Sequence, residues 1–448
     1  MSELPDDWAR ASLETLGQWG SGGTPKRTNP AYYDGGTIPW LVIGDLNDNV
    51  VTHSTTHITE MGLANSSTKL LPAETLLIAM YGSIGKLGIT GFECATNQAI
   101  AFCKPDNDVI SLRYLFYALM NAKDELVALG QGGAQQNISQ GILKVHEIPL
   151  APVNEQKRIA DKLDALLARV DTCRARLDRV PLILKRFRQS VLAAATSGKL
   201  TEEWRTEHDV TDSWVTSDIQ SVAKIGTGST PLRSNQSFYA ETGTPWVTSA
   251  ATSKPVVLSA EEFVTDAAIL AHRLKMFPVG TLLVAMYGEG KTRGQVSELG
   301  IEATINQACA AVVVDEKRAR REFVKLSLQA NYLEMRDLAE GGNQPNLNLS
   351  KIKEFPLRLP SRAEQTEIVR RVETLFAYAD RLAARYSAAR AQVEKLTPAL
   401  LAKAFRGELV PQDPNDEPAS ALLQRIRAAP PQSARARKPR ATKTLLPR

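Results

Sequence analysis

Two long stretches of the chain repeat apolar or small residues at alternating steps of four and three. The first has them at Ile159, Leu163, Leu166, Val170, Cys173, Leu177, Val180, Leu184, Phe187, Val191 and Ala194. The second has them 209 residues later, at Ile368, Val372, Leu375, Ala379, Leu382, Tyr386, Ala389, Val393, Leu396 and Leu400, and departs from the pattern at its last position, Lys403. This spacing is the seam of a coiled-coil helix, and each stretch predicts about 44 helical residues, or about 66 Å. We expect the seams to pack together as an antiparallel pair, with Cys173 in the core and Pro181 and Pro398 kinking or interrupting the helices.

The segments before these two helices have the pattern of mixed α/β globules. Both contain short runs of β-type residues, such as TLLIAM at 75–80 and ACAAVVV at 308–314, and Gly, Thr, Pro and Asn are frequent between such runs. One helical stretch comes late in each segment, at Ser111 to Leu129 and at Arg320 to Leu338. We therefore predict a first globule over residues 1–153 and a second globule over residues 210–362.

The chain is internally duplicated. Residues 75–82 read TLLIAMYG and residues 281–288 read TLLVAMYG, with seven identities in eight at an offset of 206. That offset also pairs Gly22 with Gly228, Thr24 with Thr230, Pro25 with Pro231, Tyr33 with Tyr239, Pro39 with Pro245 and Trp40 with Trp246. An offset of 209 pairs Asn97-Gln98 with Asn306-Gln307, GGAQQN at 132–137 with GGNQPN at 341–346, Glu155-Gln156 with Glu364-Gln365, and Gly198-x-Leu200 with Gly407-x-Leu409. A repeat of this extent predicts that both halves share one fold.

The predicted organisation is therefore globule, long helix, globule, long helix and tail. The first helix and its linker cover 154–209, the second helix covers 363–409, and residues 410–448 form a basic tail that we expect to be disordered. The tail has 8 Lys and Arg against 3 Asp and Glu, whereas the first globule has 9 against 15. If the acidic first globule binds DNA, it must do so through a local basic patch, with further phosphate attraction coming from elsewhere.

Composition excludes several classes of protein. The 448 residues are 43% hydrophobic and 23% charged, which is typical of a globular protein. The four Cys form no C-x-x-C pair, so neither a disulfide framework nor a thiolate zinc site is indicated. The N-terminus MSELPDDW has no signal-peptide pattern, and no run of 18 apolar residues occurs. These observations favour a cytoplasmic protein.

The motifs, taken together and in their order, resemble the specificity subunits of type I restriction-modification enzymes. The resemblance rests on TLLIAMYGSIGK, TNQA, GGAQQNIS, the Pro152 to Gln156 motif and a heptad helix that ends on Gly-Lys-Leu, nearly all of them repeated, and it covers residues 1 to about 410. One departure is an extra residue in the second copy, between Pro360 and Glu364.

The resemblance implies a non-catalytic subunit with two target-recognition domains, each reading one half of a two-part DNA sequence. It also implies that the paired helices set the spacing of the half-sites and that two methyltransferase subunits and motor-nuclease subunits dock on this frame. S-adenosylmethionine and ATP would then be bound by those partners, and this chain would bind neither cofactor nor metal. The predicted architecture favours the same function, because two globules held apart by a helical rod can contact two separated DNA segments.

Three strings indicate catalysis or ligand binding, and each also has a structural interpretation. Asn29 to Tyr32 reads NPAY, close to the Asn-Pro-Pro-Tyr motif of adenine methyltransferases, but its duplicate reads NQSF and we interpret it as a turn before a strand. Residues 288–292 read GEGKT, like the end of a P-loop, but Ala285 stands where the first glycine is required. His53 and His57 have a metal-ligand spacing but lie in an extended segment. An adenine-specific DNA methyltransferase, or a fused restriction-modification enzyme, is the alternative function, and a helical scaffold that binds no DNA is a third.

The candidate DNA-binding residues lie in loops that carry amides and cations. Gln and Asn side chains suit adenine edges, and Lys and Arg suit guanine or phosphate. In the first globule these residues are Lys26, Arg27, Tyr81, Lys86, Gln135, Gln136 and Asn137. In the second they are Arg233, Tyr287, Lys291, Arg293, Gln344 and Asn346. We interpret Asn97 and Asn306, which both halves share, as scaffold residues.

Overall fold

The computed structural model describes residues 4–130, 137–210, 214–287, 294–332 and 347–428. The chain divides into two compact units, of which unit 1 joins Met1–Arg176 to Ala389–Arg448 and unit 2 is Leu177–Ala388. Each unit contains one globule together with parts of the long helices.

In the part of unit 1 that the structure describes, ten strands and five α-helices precede the long second helix, and the last of these helices ends one residue into unit 2. The strands are β1 (Ala9–Ser12), β2 (Gly17–Ser21), β3 (Ile38–Leu41), β4 (Asn49–Val51), β5 (His57–Ile58), β6 (Leu76–Ala79), β7 (Leu87–Thr90), β8 (Ala95–Thr96), β9 (Ile100–Pro105) and β10 (Glu147–Leu150). The helices are α1 (Glu60–Ala64), α2 (Leu112–Asn121), α3 (Lys123–Ala128), α4 (Gln140–Val145) and α5 (Val153–Leu177). They form a five-stranded sheet in the order β2-β9-β6-β7-β4, a small sheet β5-β3-β8, and the antiparallel pair β1-β10.

The strand β6 lies inside the five-stranded sheet and is buried on both faces. Alternate side chains of a strand point to opposite faces. Leu76 and Ile78 accordingly enter the main core of unit 1, with α2 and the long helices, while Leu77 and Ala79 enter a second core with residues of the smaller sheet. A continuous apolar run such as TLLIAM therefore marks a strand that is covered on both sides. Each of its Leu and Ile side chains contributes about 1.5–3 kcal/mol by burial.

Unit 2 repeats this arrangement. Its strands are β11 (Val215–Asp218), β12 (Ala223–Thr227), β13 (Tyr239–Ala240), β14 (Thr244–Val247), β15 (Val256–Val257), β16 (Glu262–Val264), β17 (Leu282–Ala285), β18 (Val296–Leu299), β19 (Thr304–Ile305), β20 (Cys309–Val314) and β21 (Pro356–Leu359). Its helices are α6 (Val180–Ser197), α7 (Glu202–Glu207), α8 (Ile219–Val222), α9 (Asp266–His272), α10 (Arg321–Ala330) and α11 (Leu349–Lys353). The sheets are β12-β20-β17-β18-β15, β13-β16-β14-β19 and β11-β21, so the predicted duplication of a mixed α/β fold is confirmed.

The first predicted long helix is interrupted, and the second is continuous. A two-residue turn at 178–179 separates α5 from α6, and Pro181 stands in the first turn of α6, where its missing N–H removes no helical hydrogen bond. By contrast, α12 runs from Arg362 to Phe405 with Pro398 inside it. The helix break expected near Pro181 is therefore present, whereas at Pro398 the helix continues without interruption.

The long helices pair in antiparallel fashion within each unit. In unit 1, Arg174 Nη2 lies 3.7 Å from Glu394 Oε2, and Asp171 shares a cleft with Pro398 further along α12. In unit 2, Arg188 Nη2 lies 2.6 Å from Asp380 Oδ1, and Arg371 donates to the carbonyl of Leu200 at 2.8 Å. In both cases the residue number on one helix falls as it rises on the other, as predicted.

The burial of Cys173 was predicted wrongly, as was that of Leu396 near the end of the second seam. Cys173 is exposed, because a pair of helices covers a seam from one side only and Cys173 lies little more than one turn before the break at 178. In α12, Leu396 and Lys403 are exposed, and Leu401, Ala404 and Phe405 enter the core of unit 1 instead.

A buried Glu-Gln pair ties each long helix to its globule. Gln156 accepts from Ser111 N at 3.0 Å and donates to the carbonyls of Val109 and Ala151. Gln365 likewise accepts from Arg320 N at 2.7 Å and donates to the carbonyl of Pro360. The repeated Glu-Gln motif therefore has a structural role.

The neighbouring glutamates have related roles. The indole of Trp8 donates to Glu155 at 3.0 Å in unit 1, and the indole of Trp214 donates to Glu364 at 3.1 Å in unit 2. Glu364 also accepts from Thr201 and Arg205, in the segment that follows Gly198. Gly198 ends α6 at a φ of 83°, a left-handed conformation that favours glycine, which explains the first of the two Gly-x-Leu motifs.

The structure differs from the expectation of a disordered tail. Residues Ala419–Ala428 form α13, whose residues Ala419, Leu422 and Leu423 are buried in the main core of unit 1. Asp416 anchors the preceding turn, because it accepts from Asn154 at 2.9 Å and from Arg158 at 2.7 Å. Residues 413–428 thus complete the first unit together with the segment around Asp7, whose carbonyl accepts from Ala419 N at 2.9 Å, and residues 429–448 lie outside the described part.

Candidate DNA interface

Two aromatic side chains donate hydrogen bonds to the turn that carries Lys26 and Arg27. The hydroxyl of Tyr33 donates to the carbonyl of Pro25 at 2.6 Å, and the indole of Trp40 donates to the carbonyl of Gly23 at 3.0 Å. Lys26 and Arg27 are themselves exposed. The scaffold therefore presents two cations to solvent on a rigid turn.

The duplicate turn in the second globule has the same supports. Tyr239 donates to the carbonyl of Pro231 at 2.7 Å and Trp246 donates to the carbonyl of Ser229 at 3.1 Å. A Cβ atom at Gly228 would lie 1.6 Å from the carbonyl oxygen of Ile305, so this position accepts only glycine. The identities that the repeat preserves around these turns are thus explained by packing.

The loop after β6 brings Tyr81 beside Asn137. These two residues form an isolated antiparallel bridge, and the Tyr81 side chain is 38% exposed. The loop turns back into β7 through Gly82 and Gly85, both at positive φ, and Lys86 Nζ donates to the carbonyl of Ile43 at 3.3 Å. Gln135 and Gln136 lie outside the described residues.

Arg27 and Asn97 line one open depression in the first globule. Its volume is about 600 Å³, and its wall includes Ile43, whose carbonyl accepts from Lys86. The Oδ1 of Asn97 accepts from Ala99 N at 3.2 Å, and Asn306 makes the same bond to Ala308 N at 3.1 Å. These bonds agree with a scaffold role for both asparagines. Arg27 lines the depression, and Lys86 bonds to Ile43 in its wall, so the two cations belong to one surface of the globule.

The predicted residues of the second globule are only partly described. Tyr287 is 38% exposed, at the position that corresponds to Tyr81. Leu347 N donates to the carbonyl of Met286 at 3.1 Å, as Ile138 N does to Met80 at 2.9 Å, so both globules return the chain to the same place beside this loop. Lys291, Arg293, Gln344 and Asn346 lie outside the described residues.

Arg233 differs from the expectation of an open cation. Its guanidinium makes two hydrogen bonds to the carboxylate of Glu262, the longer of them 3.0 Å, and it lies 5.0 and 4.9 Å from the ring centres of Tyr239 and Trp246. The bond to Glu262 raises the pKa of Arg233. The sequence analysis did not identify Glu262. An alignment of the two halves at the 206 offset pairs Glu262 with Thr56, and this difference in charge was the signal that could have found it.

The strings that indicated catalysis have structural roles where they are described. Asn29 Oδ1 accepts from Ala31 N at 3.3 Å in a turn before β3, and Asn235 makes the same bond to Ser237 N, as expected for a turn. His57 lies in β5 and both His53 and His57 are exposed. The P-loop-like string at 288–292 lies outside the described residues.

The described ranges hold no group of three or more His, Cys, Asp or Glu side chains that is placed to hold a metal ion. None of their helices combines the length and the apolar character that a bilayer crossing requires.

Known proteins resemble the chain along nearly its whole length. A family model described as the type I restriction modification DNA specificity domain matches it twice, over residues 5–181 and 211–387. The chain is 29% identical to the StySPI type I specificity subunit of Salmonella potsdam, over 95% of its own length and 96% of that protein. It is 28% identical to the EcoKI type I specificity subunit of Escherichia coli K12, with the same two coverages.

A solved structure supports the fold. It is described as the structural basis of complex assembly and conformational transition of the type I R-M system, and it matches 91% of this chain and 100% of its own with a TM-score of 0.73. Its sequence identity of 17% limits this likeness to the fold.

Proposed function

The chain belongs to the type I restriction-modification DNA specificity family, and on this premise we propose that it recognises a two-part DNA sequence for partner subunits that modify and cut DNA. It is a DNA-recognition subunit without an active site of its own. The observation that carries the proposal is the duplication of one complete globule, including its aromatic-supported turn and its loop after the shared strand. Two related reading surfaces in one chain suit two half-sites.

We propose residues 1–153 and 210–362 as the two target-recognition domains. The support is that each range carries three corresponding sheets, of which the small one has an additional strand in the second range, and that the helical segments 154–209 and 363–409 follow them in the same order. The antiparallel pairing of these helices within each unit makes them suited to fix the distance between half-sites. Helix length then sets the number of unread base pairs.

The proposed DNA contacts are the loop residues predicted from sequence. Amide side chains are assigned to base edges and cations to phosphate or guanine. The residues are Lys26, Arg27, Tyr81, Lys86, Gln135, Gln136 and Asn137 in the first globule, and Tyr287, Lys291, Arg293, Gln344 and Asn346 in the second. Arg233, which was also predicted from sequence, is left out because its guanidinium is paired with Glu262. Exposure of Lys26, Arg27, Tyr81 and Tyr287 supports this assignment.

The partners follow from the family. We assign two methyltransferase subunits, which bind S-adenosylmethionine, and motor-nuclease subunits, which bind ATP, to the same complex, and we place its work in the cytoplasm. The alternative of an adenine methyltransferase is not favoured, because the amide of Asn29 is used within its own turn.

Salt-dependent DNA binding by the full chain tests the proposal. Each phosphate contact contributes about 0.9 to the slope of log K against log salt concentration. Lys26→Ala combined with Arg27→Ala should reduce this slope by about 0.9–1.8 and weaken binding, whereas Arg425→Ala, which removes an exposed charge outside the globules, should have a smaller effect. Absence of salt-dependent binding to duplex DNA by the wild-type chain would contradict the proposed function.

A further inference from the structure

One position in the repeat sets the environment of an arginine in each globule. Arg27 corresponds to Arg233, and both precede a Tyr and a Trp that support the turn. The strand partner of that Trp differs, since Trp246 pairs with Glu262 across β14 and β16, whereas Trp40 N donates to the carbonyl of Thr56 at 2.9 Å. The two turns thus share a frame but differ in the charge opposite the Trp, which is absent at Thr56 and present at Glu262.

In the second globule the carboxylate holds the arginine. Glu262 accepts hydrogen bonds from two nitrogen atoms of Arg233, and the guanidinium lies over the rings of Tyr239 and Trp246. The space beside Trp246, Thr248 and Glu262 is about 30 Å³. Arg233 is therefore fixed by contacts within its own globule.

In the first globule the arginine has no such carboxylate. Thr56 offers a hydroxyl where Glu262 offers a charge, and the described residues place no acidic side chain within ion-pair distance of Arg27. The charge of Arg27 is felt by Tyr33, whose pKa is raised by burial and lowered in part by this cation. The depression that Arg27 lines with Trp40 and Thr56 is about 600 Å³ and open.

We propose that Glu262 acts as an internal substitute for a DNA phosphate, so that Arg27 binds a phosphate in the first half-site while Arg233 makes no such contact in the second. The inference rests on the proposed function and deepens it. It assigns the phosphate contact at this turn to the first globule, and it names Glu262 as the residue that prevents the same contact in the second. A carboxylate in bidentate contact with a guanidinium has the geometry and charge that a phosphate would present.

The ion pair between Arg233 and Glu262 contributes little to the stability of the fold, so substitutions can test its effect on DNA binding. The side chains of Arg233 and Glu262 are 56% and 36% exposed, and exposed pairs contribute little to stability. Removal of the carboxylate should therefore leave the fold intact and release the cation.

The test exchanges the two residues in the full chain. Glu262→Thr gives the second globule the residue of the first, and Thr56→Glu does the reverse. The matched controls are Glu261→Thr, which removes a neighbouring exposed charge, and Thr52→Glu, which adds a charge nearby on an exposed residue. Binding to a labelled mixed-sequence duplex of about 60 base pairs is measured between about 50 and 200 mM salt.

We expect E262T to bind two- to fivefold more tightly than E261T, with a salt slope steeper by about 0.9. T56E should bind more weakly than T52E, with a slope shallower by about 0.9, and the difference between T56E and T52E should vanish in an Arg27→Gln background. Equal behaviour of each exchange and its control would overturn this inference while leaving the proposed function standing, whereas loss of salt-dependent binding in the wild type would remove both. A change in the methylated sequence on Arg27→Gln would show that Arg27 reads a base, and would also overturn it.

Discussion

The buried ion pair between Arg205 and Glu364 provides a quantitative test of how the second globule is attached to its helix. Glu364 is fully buried on α12, and its Oε1 accepts from Arg205 at 2.6 Å, from Thr201 at 2.7 Å and from Trp214 at 3.1 Å. Arg205 also donates to the carbonyl of Gly198 at 2.8 Å. The substitution Arg205→Ala leaves the carboxylate buried without its cation.

The size of the effect follows from the burial of the two side chains. Arg205 and Glu364 are 15% and 0% exposed, and removal of one partner from a buried pair costs about 3–5 kcal/mol. Replacement of both, as Arg205→Met with Glu364→Gln, removes the buried charges together and should cost less than either single change. Arg425→Ala is the matched control, because its pair with Glu417 is 64% and 48% exposed and should contribute less than about 1 kcal/mol.

Amide hydrogen exchange, read by mass spectrometry on the full chain, measures this difference locally. Arg205→Ala should lower protection of peptides from 198–208 and 355–372 by about two to three orders of magnitude, since about 1.4 kcal/mol is a factor of ten. Peptides from 5–16 and 147–160 in unit 1 serve as the internal reference. A loss below about threefold, or an equal loss in unit 1, would refute the reasoning that this pair anchors the second globule.

Three further predictions concern the helices, the tail and a buried carboxyl. Four residues inserted opposite each other in α6 and α12 lengthen the pair by about 6 Å, which should add about two base pairs to the spacer of the methylated sequence and leave both half-sites unchanged. Leu422→Ala should destabilise unit 1 by about 2–3 kcal/mol in hydrogen exchange, against less than about 0.5 kcal/mol for the exposed Leu270→Ala. Burial raises the pKa of Glu155 above 4.5, so the native state holds this proton more tightly and loses stability as pH rises through the raised pKa. The stability of Glu155→Gln relative to the wild type should therefore increase between about pH 4 and 7 in urea unfolding, and a constant or falling difference would contradict this.

The duplication and the long helices were predictable because both are regular patterns. The 4,3 spacing follows from helix geometry, and Ile159, Leu163, Ile368 and Val372 are buried as that spacing requires. The exposure of Cys173 was not predictable in this way, because a pattern defines a face of a helix and does not say how far the partner covers it.

The tail helix was missed although a signal was present. Ala419, Leu422, Leu423 and Ile426 have the spacing of an apolar helix face, but the stretch is short and lies among prolines. Its stability comes from packing on the core of unit 1, which cannot be recognised until the two chain ends are placed together.

The turn that carries the candidate arginines was predictable from the repeat, whereas the ion pairing of Arg233 was not. The repeat identified the turn with Arg27 and Arg233, and the structure shows why its aromatic supports recur. The pairing of Arg233 with Glu262 depends on which residue stands opposite Trp246 across two strands. That register is a property of the folded sheet, so charge counts along the sequence could not reveal it.

Single-base mapping of methylated adenines in genomic DNA tests the central claim most directly. The host should carry this gene together with that of its methyltransferase partner, and be compared with a strain in which only this gene is deleted. We predict one split motif with a methylated adenine in each half and a fixed unread spacer, and its complete loss on deletion. A continuous motif, or a split motif that persists in the deletion strain while the methyltransferase partner is expressed, would contradict the assignment of sequence recognition to this protein.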